Sequence, residues 1–284
     1  MKGLSLRISA PGDEPELKSL WNRVFGDDMA YIDGFFRAVY EPGCAVIAEK
    51  DGMIASAVYV FGIGELADGA GNAVPASVSY AFATRPEMRS RGYGTETAAA
   101  ALRKSFEAGF CAATICPAED SLFGYYSGRI GYDEWFYENR FRCEVTEKCE
   151  SADVEELSAA EYARVREGLL RDRAHIRFSD RMLGYQHRLC RNSGGGMYAF
   201  RTDGASGCFA AECAPDGELL IKELLLREGD AAAAAVAVAA CLGKRRALVR
   251  TPSDGGQRCA MLRMNGNTRP ERGAKDPWYG FMFD

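Results

Sequence analysis

The chain of 284 residues, 47% hydrophobic and 26% charged, has the balance of an ordinary folded protein and the length for two domains. Its net charge of −5 argues against general nucleic-acid binding, which wants a basic face. No apolar run reaches the roughly 18 to 20 residues of a membrane helix, and the opening MKGLSLRISAPGDE lacks the apolar core of a signal peptide. No membrane partner is expected, and the expected compartment is the cytoplasm. Ten cysteines (44, 111, 116, 143, 149, 190, 208, 213, 241 and 259) lie scattered in apolar segments without a C-x-x-C pair. With only His175 and His187 to join them, they read as small buried hydrophobes and not as a metal site or a disulfide framework.

In chain order, residues 4–8 read as a short strand. APGDEPELKSLWNRVFG follows as a helix with an early proline and an acidic first turn. DDMAYIDGFFRAVY is a second helix that sets Tyr31, Phe35 and Val39 on one apolar face, and Pro42-Gly43 ends it. CAVIAEK and MIASAVYVFGIGEL are strands joined by Asp51-Gly52, the strongest short hairpin signal in the chain. After the turn ADGAGNAVP, residues 74–84 form another strand, and a helix is expected from Thr95 to Glu107 with Gly109 beyond its end. CAATIC is a buried strand, AEDSLFGYYSGRI a short helix, and WFYENRFRCEV a strand.

The second half repeats part of this order. SAAEYARVREGLL begins with a capping box, Ser158 and Glu161, and SDRMLGYQHRLC is a further helix. MYAFRTDGASGCFAAEC reads as a hairpin, GELLIKELLL as a strand, DAAAAAVAVAACL as a helix and RALVRTP as a strand. Strand, alanine-rich helix, glycine cap and strand thus occur twice, but the second copy places only Arg227-Glu228-Gly229 between strand and helix. The expected class is mixed α/β.

The first copy differs in that junction. ATRPEMRSRGYGTETAAAAL carries Arg85, Arg89 and Arg91 with Gly92 and Gly94 just ahead of a helix. A glycine loop entering a helix leaves backbone N–H groups free for an anion, and the helix dipole adds about half a positive charge there. A phosphate-binding loop of the G-x-x-x-x-G-K-[ST] type is absent from the sequence. The dinucleotide fingerprint G-x-G-x-x-G fails here, because Thr97 takes the third position.

Pro86, Arg89, Gly92 and Gly94 instead match the R/Q-x-x-G-x-G/A signature of the Gcn5-related N-acetyltransferases (GNAT), which this half resembles in element order as well. YYSGRIGY resembles the family's second landmark, a tyrosine shortly before Gly-Phe or Gly-Tyr. The tandem order is similar to that of bacterial enzymes of the enhanced-intracellular-survival type. The resemblance implies a tandem GNAT-like acyl-CoA N-acyltransferase fold, with an acetyl-CoA-binding domain at 1–148 and a degenerate copy without the loop at 149–284.

It also implies an N-acetyltransferase, in which an amine of a small molecule or peptide attacks the thioester directly. Phe82, Ala83 and Thr84 of the splayed strand would hold the pantetheine arm, and the backbone of Ser90, Arg91, Gly92, Tyr93, Gly94 and Thr95 the diphosphate, with Arg89 adding charge. Tyr126 is the expected acid for the departing thiolate, although the family spacing counts back to Ser127. Asp284 is a candidate base, since a C-terminal carboxylate can enter the active site of such tandem enzymes, and Glu65 is a weaker one. No metal is expected, and a homo-oligomer is compatible with the reading. The rival is an acyl-CoA-binding sensor without turnover; acyl transfer to oxygen or sulfur on the same scaffold comes third.

Overall fold

The computed structural model describes residues 4–146, 150–266 and 270–281. It resolves into two compact units that share the chain unevenly. The first holds residues 1–64, 74–134 and 260–269, and the second holds 65–73, 135–259 and 270–284.

In the first unit, β1 (Leu4–Ile8) leads through a 3-10 turn to α1 (Glu14–Phe25) and α2 (Met29–Ala38). Gly26, left-handed at φ 77°, ends α1, and the Asp28 carboxylate caps α2 by accepting from the Tyr31 N–H at 2.7 Å. Next come β2 (Ala45–Lys50), β3 (Met53–Ala67), β4 (Ala73–Thr84), α3 (Tyr93–Glu107), β5 (Ala112–Ile115), α4 (Asp120–Ile130) and β6 (Asp133–Glu144). Asp51 and Gly52 both have positive φ, as a tight β2–β3 hairpin with the twist of its strands requires. The sheet order is β1-β2-β3-β4-β5, antiparallel at β1/β2 and β2/β3 and parallel at β4/β5.

Trp21 centres the packing of α1 and α2 on this sheet. Its ring lies 4.9 Å from Phe35, 5.2 Å from Tyr59 and 5.4 Å from Tyr80. Rings meeting at tilted or edge-on angles add to the burial energy of each side chain. The apolar face read from the second helix is present, with Ile32, Phe35 and Phe36 buried.

The second unit continues with β7 (Asp153–Glu156), α5 (Ala159–Leu170), β8 (His175–Phe178), α6 (Asp180–Asn192), β9 (Gly196–Arg201), β10 (Ser206–Cys213), β11 (Leu219–Glu228), α7 (Ala231–Cys241), β12 (Arg246–Pro252) and β13 (Gln257–Met264). The capping box at Ser158 and Glu161 forms as the sequence indicates. The sheet order here is β6-β12-β11-β10-β9-β7, with β11/β12 its parallel pair.

Two strands cross the cut expected after residue 148. Strand β13 returns to pair with β5 in the first unit, from Met261↔Ile115 to Met264↔Ala112. Strand β6 joins the second unit along β12, from Glu144↔Arg246 to Glu138↔Pro252. The compact units are therefore not two consecutive halves. Hydrophobic period fixes which segments are strands, but pairing at such sequence separation is decided only by the assembled core.

A charged centre lies buried in the second unit. Glu223, wholly buried, accepts from Arg166 Nε at 2.9 Å, from the Tyr162 hydroxyl at 2.9 Å and from the Trp278 indole N–H. Beside it, buried His175 meets Glu167 Oε2 at 3.1 Å, and Arg177 Nε donates to the same oxygen at 2.9 Å. Burial works against the Glu167 carboxylate, but the His175 hydrogen bond and the Arg166 charge outweigh it and hold the carboxyl at about 2, below its usual 4.5. A depressed folded value stabilises the protein above the unfolded value and is lost as pH falls through the folded one. Urea unfolding between pH 4.5 and 2 should therefore lose up to about 3 kcal/mol through this one group. In Glu167→Gln that part of the acid slope should be missing.

Candidate active site

The site begins where β4 leaves its neighbour. The parallel register of β4 and β5 runs from Ala76↔Ala112 to Ser79↔Ile115 and stops, while β4 continues to Thr84. Two residues past that point Ala81 has φ 47°, a left-handed conformation that a side-chain-bearing residue seldom adopts inside a strand. The strand is kinked where the pair parts. Ser56 on β3 fastens the far end of β4, its hydroxyl 2.8 Å from the Ala83 carbonyl and 2.9 Å from Thr84 Oγ1.

Past Thr84 the three arginines divide their work. Arg85 is structural: its Nη2 meets Glu16 at 2.8 Å and its Nε donates to the Ile54 carbonyl. Pro86 opens a 3-10 turn that ends at Met88. Arg89 and Arg91 are exposed and make no ion pair among the described residues, although Arg89 Nε lies 3.3 Å from the Thr84 carbonyl. Ser90 and Gly92 take positive φ, 61° and 83°, and turn the backbone into α3.

The helix starts at Tyr93, two residues before the sequence expectation of Thr95. The cause is Gly92, whose left-handed conformation makes it the N-cap and leaves Gly94 inside the first turn. No side chain caps this end, and Glu96 N–H donates to the Gly92 carbonyl at 3.1 Å as the helix begins. The N–H groups of Tyr93, Gly94 and Thr95 precede it, as an anion site at a helix start requires. Tyr93 itself is an anchor, buried against Ala55 and Met88. A Cβ at Gly94 would lie 3.2 Å from Thr84 Oγ1 and 3.5 Å from the Phe82 ring, so glycine permits the close approach of helix and strand.

The structure thus brings Phe82, Ala83 and Thr84 to one end of β4 and Arg89 to Thr95 directly after it. Helix α4 adds two tyrosines. Tyr125, half-buried, shares a hydrogen bond of 3.0 Å with Thr95 in the first turn of α3. Tyr126 is buried among Ile115, Phe123 and Tyr132, with its ring 6.2 Å from Phe82. Burial, helped by Tyr125 and Tyr132, pushes its phenol well above the usual range. Helix α4 is continuous from Asp120 to Ile130, with no bulge to shift the tyrosine register, and Ser127 is exposed. Glu65, on β3, is committed to an ion pair with Arg177 at 3.2 Å. Asp284 lies outside the described residues.

The junction before α7 differs by more than its missing loop, and the sequence signal is an aspartate directly before the alanine run. Asp230 is the N-cap of α7 and its carboxylate accepts from the Ala233 N–H at 2.8 Å. The anion position of that helix is taken by the protein's own charge.

A parallel pair that parts beside an uncapped helix start is an arrangement suited to a chain-like ligand with an anionic end. The protein class this defines is an acyl-CoA-type acyltransferase fold. Residues 5–134 match the family described as Acetyltransferase (GNAT) domain, and the chain carries an acetyltransferase domain of the GNAT superfamily over that span. It is accordingly an acyltransferase enzyme.

Solved structures agree on the fold at low identity. A GCN5-related N-acetyltransferase from Anabaena variabilis is 13% identical, with 92% of this chain and 72% of that one aligned at a TM-score of 0.67. Eis1 from Mycobacterium abscessus is 12% identical, with 92% and 73% aligned at 0.61. A tandem GNAT protein from the clavulanic acid biosynthesis pathway is 12% identical, with 94% and 100% aligned at 0.54. No curated protein matches the sequence.

The two helix starts give a direct test. Gly92→Asp sets a carboxylate at the start of α3, on a left-handed backbone unlike the extended N-cap of α7, and should weaken CoA binding at least tenfold in a calorimetric titration. Asp230→Ala should leave CoA affinity unchanged and cost about 1 kcal/mol of stability in urea unfolding.

Proposed function

We propose that the protein transfers an acetyl group from acetyl-CoA to a primary amine of a small molecule or peptide, by direct attack on the thioester. The observation that carries this reading is the uncapped start of α3 set beside the parted end of β4. The backbone from Ser90 to Thr95 would hold the diphosphate, Arg89 and Arg91 would face it, and Phe82 to Thr84 would lie along the pantetheine arm. The thioester supplies the activated acyl group. The chain's part is to fix its position and to stabilise the developing oxyanion with a backbone N–H of β4.

Tyr126 is proposed as the acid, because its ring reaches the β4 end at Phe82 while Tyr125 is tied to Thr95 near the diphosphate end. Burial keeps the Tyr126 phenol protonated to higher pH than usual. Turnover should therefore show no alkaline fall from its ionisation below about pH 10, its ordinary value. Asp284 is proposed as the base. The acceptor would enter on the α1–α2 side, where the Tyr31 and Tyr80 hydroxyls meet at 2.9 Å beside Phe61. The second unit would bind no CoA, because its helix start is capped by Asp230.

Titration with CoA and thiol release with polyamines, aminoglycosides and peptide N-termini test the proposal. One CoA should bind per chain, and at least one amine class should release thiol. Binding without release from any amine would favour the sensor reading, and no binding would overturn both. Tyr126→Phe should lower turnover about 100-fold with CoA affinity kept. An unchanged rate would move the acid elsewhere. Asp284→Asn should likewise lower the rate and spare CoA binding.

A further inference from the structure

Two hydroxyls meet over a long distance at the point where β4 parts from β5. Ser77 and Ser79 lie on one face of β4, two residues apart. Ser77, inside the paired stretch, is buried, and its hydroxyl bonds that of Ser105 on α3 at 2.5 Å. Ser79, opposite Ile115, is the last residue in the parallel register and is half-buried. Its hydroxyl has one hydrogen-bond partner among the described residues, the Tyr132 hydroxyl at 3.5 Å, the long limit of such a bond.

The end of α4 delivers Tyr132 to this place. Gly131, left-handed at φ 89°, stops the helix, and the Tyr132 N–H donates to the Tyr126 carbonyl at 3.3 Å. The ring is then buried with Ile115, Phe123 and Tyr126. Its hydroxyl, on a residue only 2% exposed, has no partner but Ser79 among the described residues. A buried hydroxyl with one stretched bond costs free energy that phenylalanine, filling the same space, would avoid. Packing alone therefore does not account for a tyrosine here. Burial pushes its phenol up to about 12, against a lowering by the Ser79 contact, so it stays protonated and serves as the donor of the pair. A phenol that donates to Ser79 Oγ leaves the single Ser79 proton for a third partner.

We propose that Ser79 is a further catalytic residue of acetyl transfer, its hydroxyl donating to the thioester sulfur as the carbon–sulfur bond breaks, with Tyr132 as its positioning residue. The inference rests on the acetyl-transfer reading above. The amine nitrogen bonds to the carbonyl carbon, the electron pair of the carbon–sulfur bond goes to sulfur, and the proton the sulfur gains comes from Tyr126 in that reading. Ser79 transfers no proton. Its hydrogen bond is stronger to a charged sulfur than to the neutral thioester, so it favours the transition state over the bound substrate. The oxyanion on the other side of the breaking bond is left to the backbone N–H of β4.

Titration of the thiol of bound CoA, followed by the ultraviolet absorbance of the thiolate, tests this without any acceptor amine. In the wild-type complex the thiol should ionise about one pH unit lower than in Ser79→Ala or Tyr132→Phe. CoA affinity, measured where the thiol is protonated, should be the same in all three. Single-turnover acetyl transfer to an amine that releases thiol should fall about tenfold in each variant, and no further in the double variant. Ser79→Thr, which keeps a hydroxyl, should recover most of both effects. Unchanged thiol ionisation in Ser79→Ala, or additive losses in the double variant, would overturn the proposal. A wild-type chain that binds no CoA would instead overturn the reading on which it rests.

Discussion

Both units are organised around one constraint: a pair of parallel strands that stay bonded for a few residues and then separate. Backbone groups at the parting cannot be satisfied by the partner strand, so the chain must meet them another way or leave them for a ligand. In the first unit the parting follows Ser79 and Ile115, the kink sits at Ala81, and the helix that comes next starts on a glycine with no side-chain cap. Left-handed Ser90 costs some backbone energy, of order 1 kcal/mol for a residue with a side chain in that region. Ser56, Tyr93 and Arg85 hold the surrounding segments in place and so make that conformation tenable.

The second unit meets the same geometry in the opposite way. Asp230 closes its helix start, and the Thr251 hydroxyl spans from β12 to the Leu224 carbonyl at 2.8 Å. One strand arrangement thus supports an open junction in one unit and a sealed one in the other. The difference comes down to a few residues between strand and helix: a long arginine-glycine stretch in one, Arg227 to Asp230 in the other. A segment this short decides whether the helix start carries a side-chain cap without disturbing the elements it joins, because neither α3 nor α7 depends on its cap for packing. Their buried faces do that, through Tyr93, Ala98 and Ala101 in α3 and through Ala234, Ala235 and Val238 in α7.

Much of this was legible in the chain. The Asp51-Gly52 hairpin, the Ser158/Glu161 box and the loop from Arg89 to Gly94 are local signals, and local signals survive into the fold because nothing remote competes with them. What escaped is long-range. Strands β7 and β8 have four residues each, and β7, as Asp-Val-Glu-Glu, has no apolar alternation to read. The crossing of β6 and β13 between units depends on pairing over more than a hundred residues. Tyr126 illustrates the same limit within a site. Spacing marks a tyrosine near Gly131-Tyr132, but only the continuous helix shows that Tyr126 faces the core while Tyr125 reaches Thr95.

The buried charges of the second unit raise a question that burial energy alone does not answer. An ion pair such as Arg166 with Glu223 contributes little more to stability than apolar residues of equal volume would, because desolvation offsets most of the attraction. What the pair supplies is direction. Glu223 has oxygens for Tyr162, Arg166 and the Trp278 indole at once, and that last bond fixes the segment leading to Phe281. Gly280 then becomes obligatory, since a Cβ there would lie 2.6 Å from Arg166 Nη2 and 2.9 Å from Glu223 Oε2. An apolar centre could hold Trp278 in several rotations. A carboxylate that must accept from three donors holds it in one, so the path of the chain up to Phe281 is set by hydrogen-bond geometry and not by packing alone.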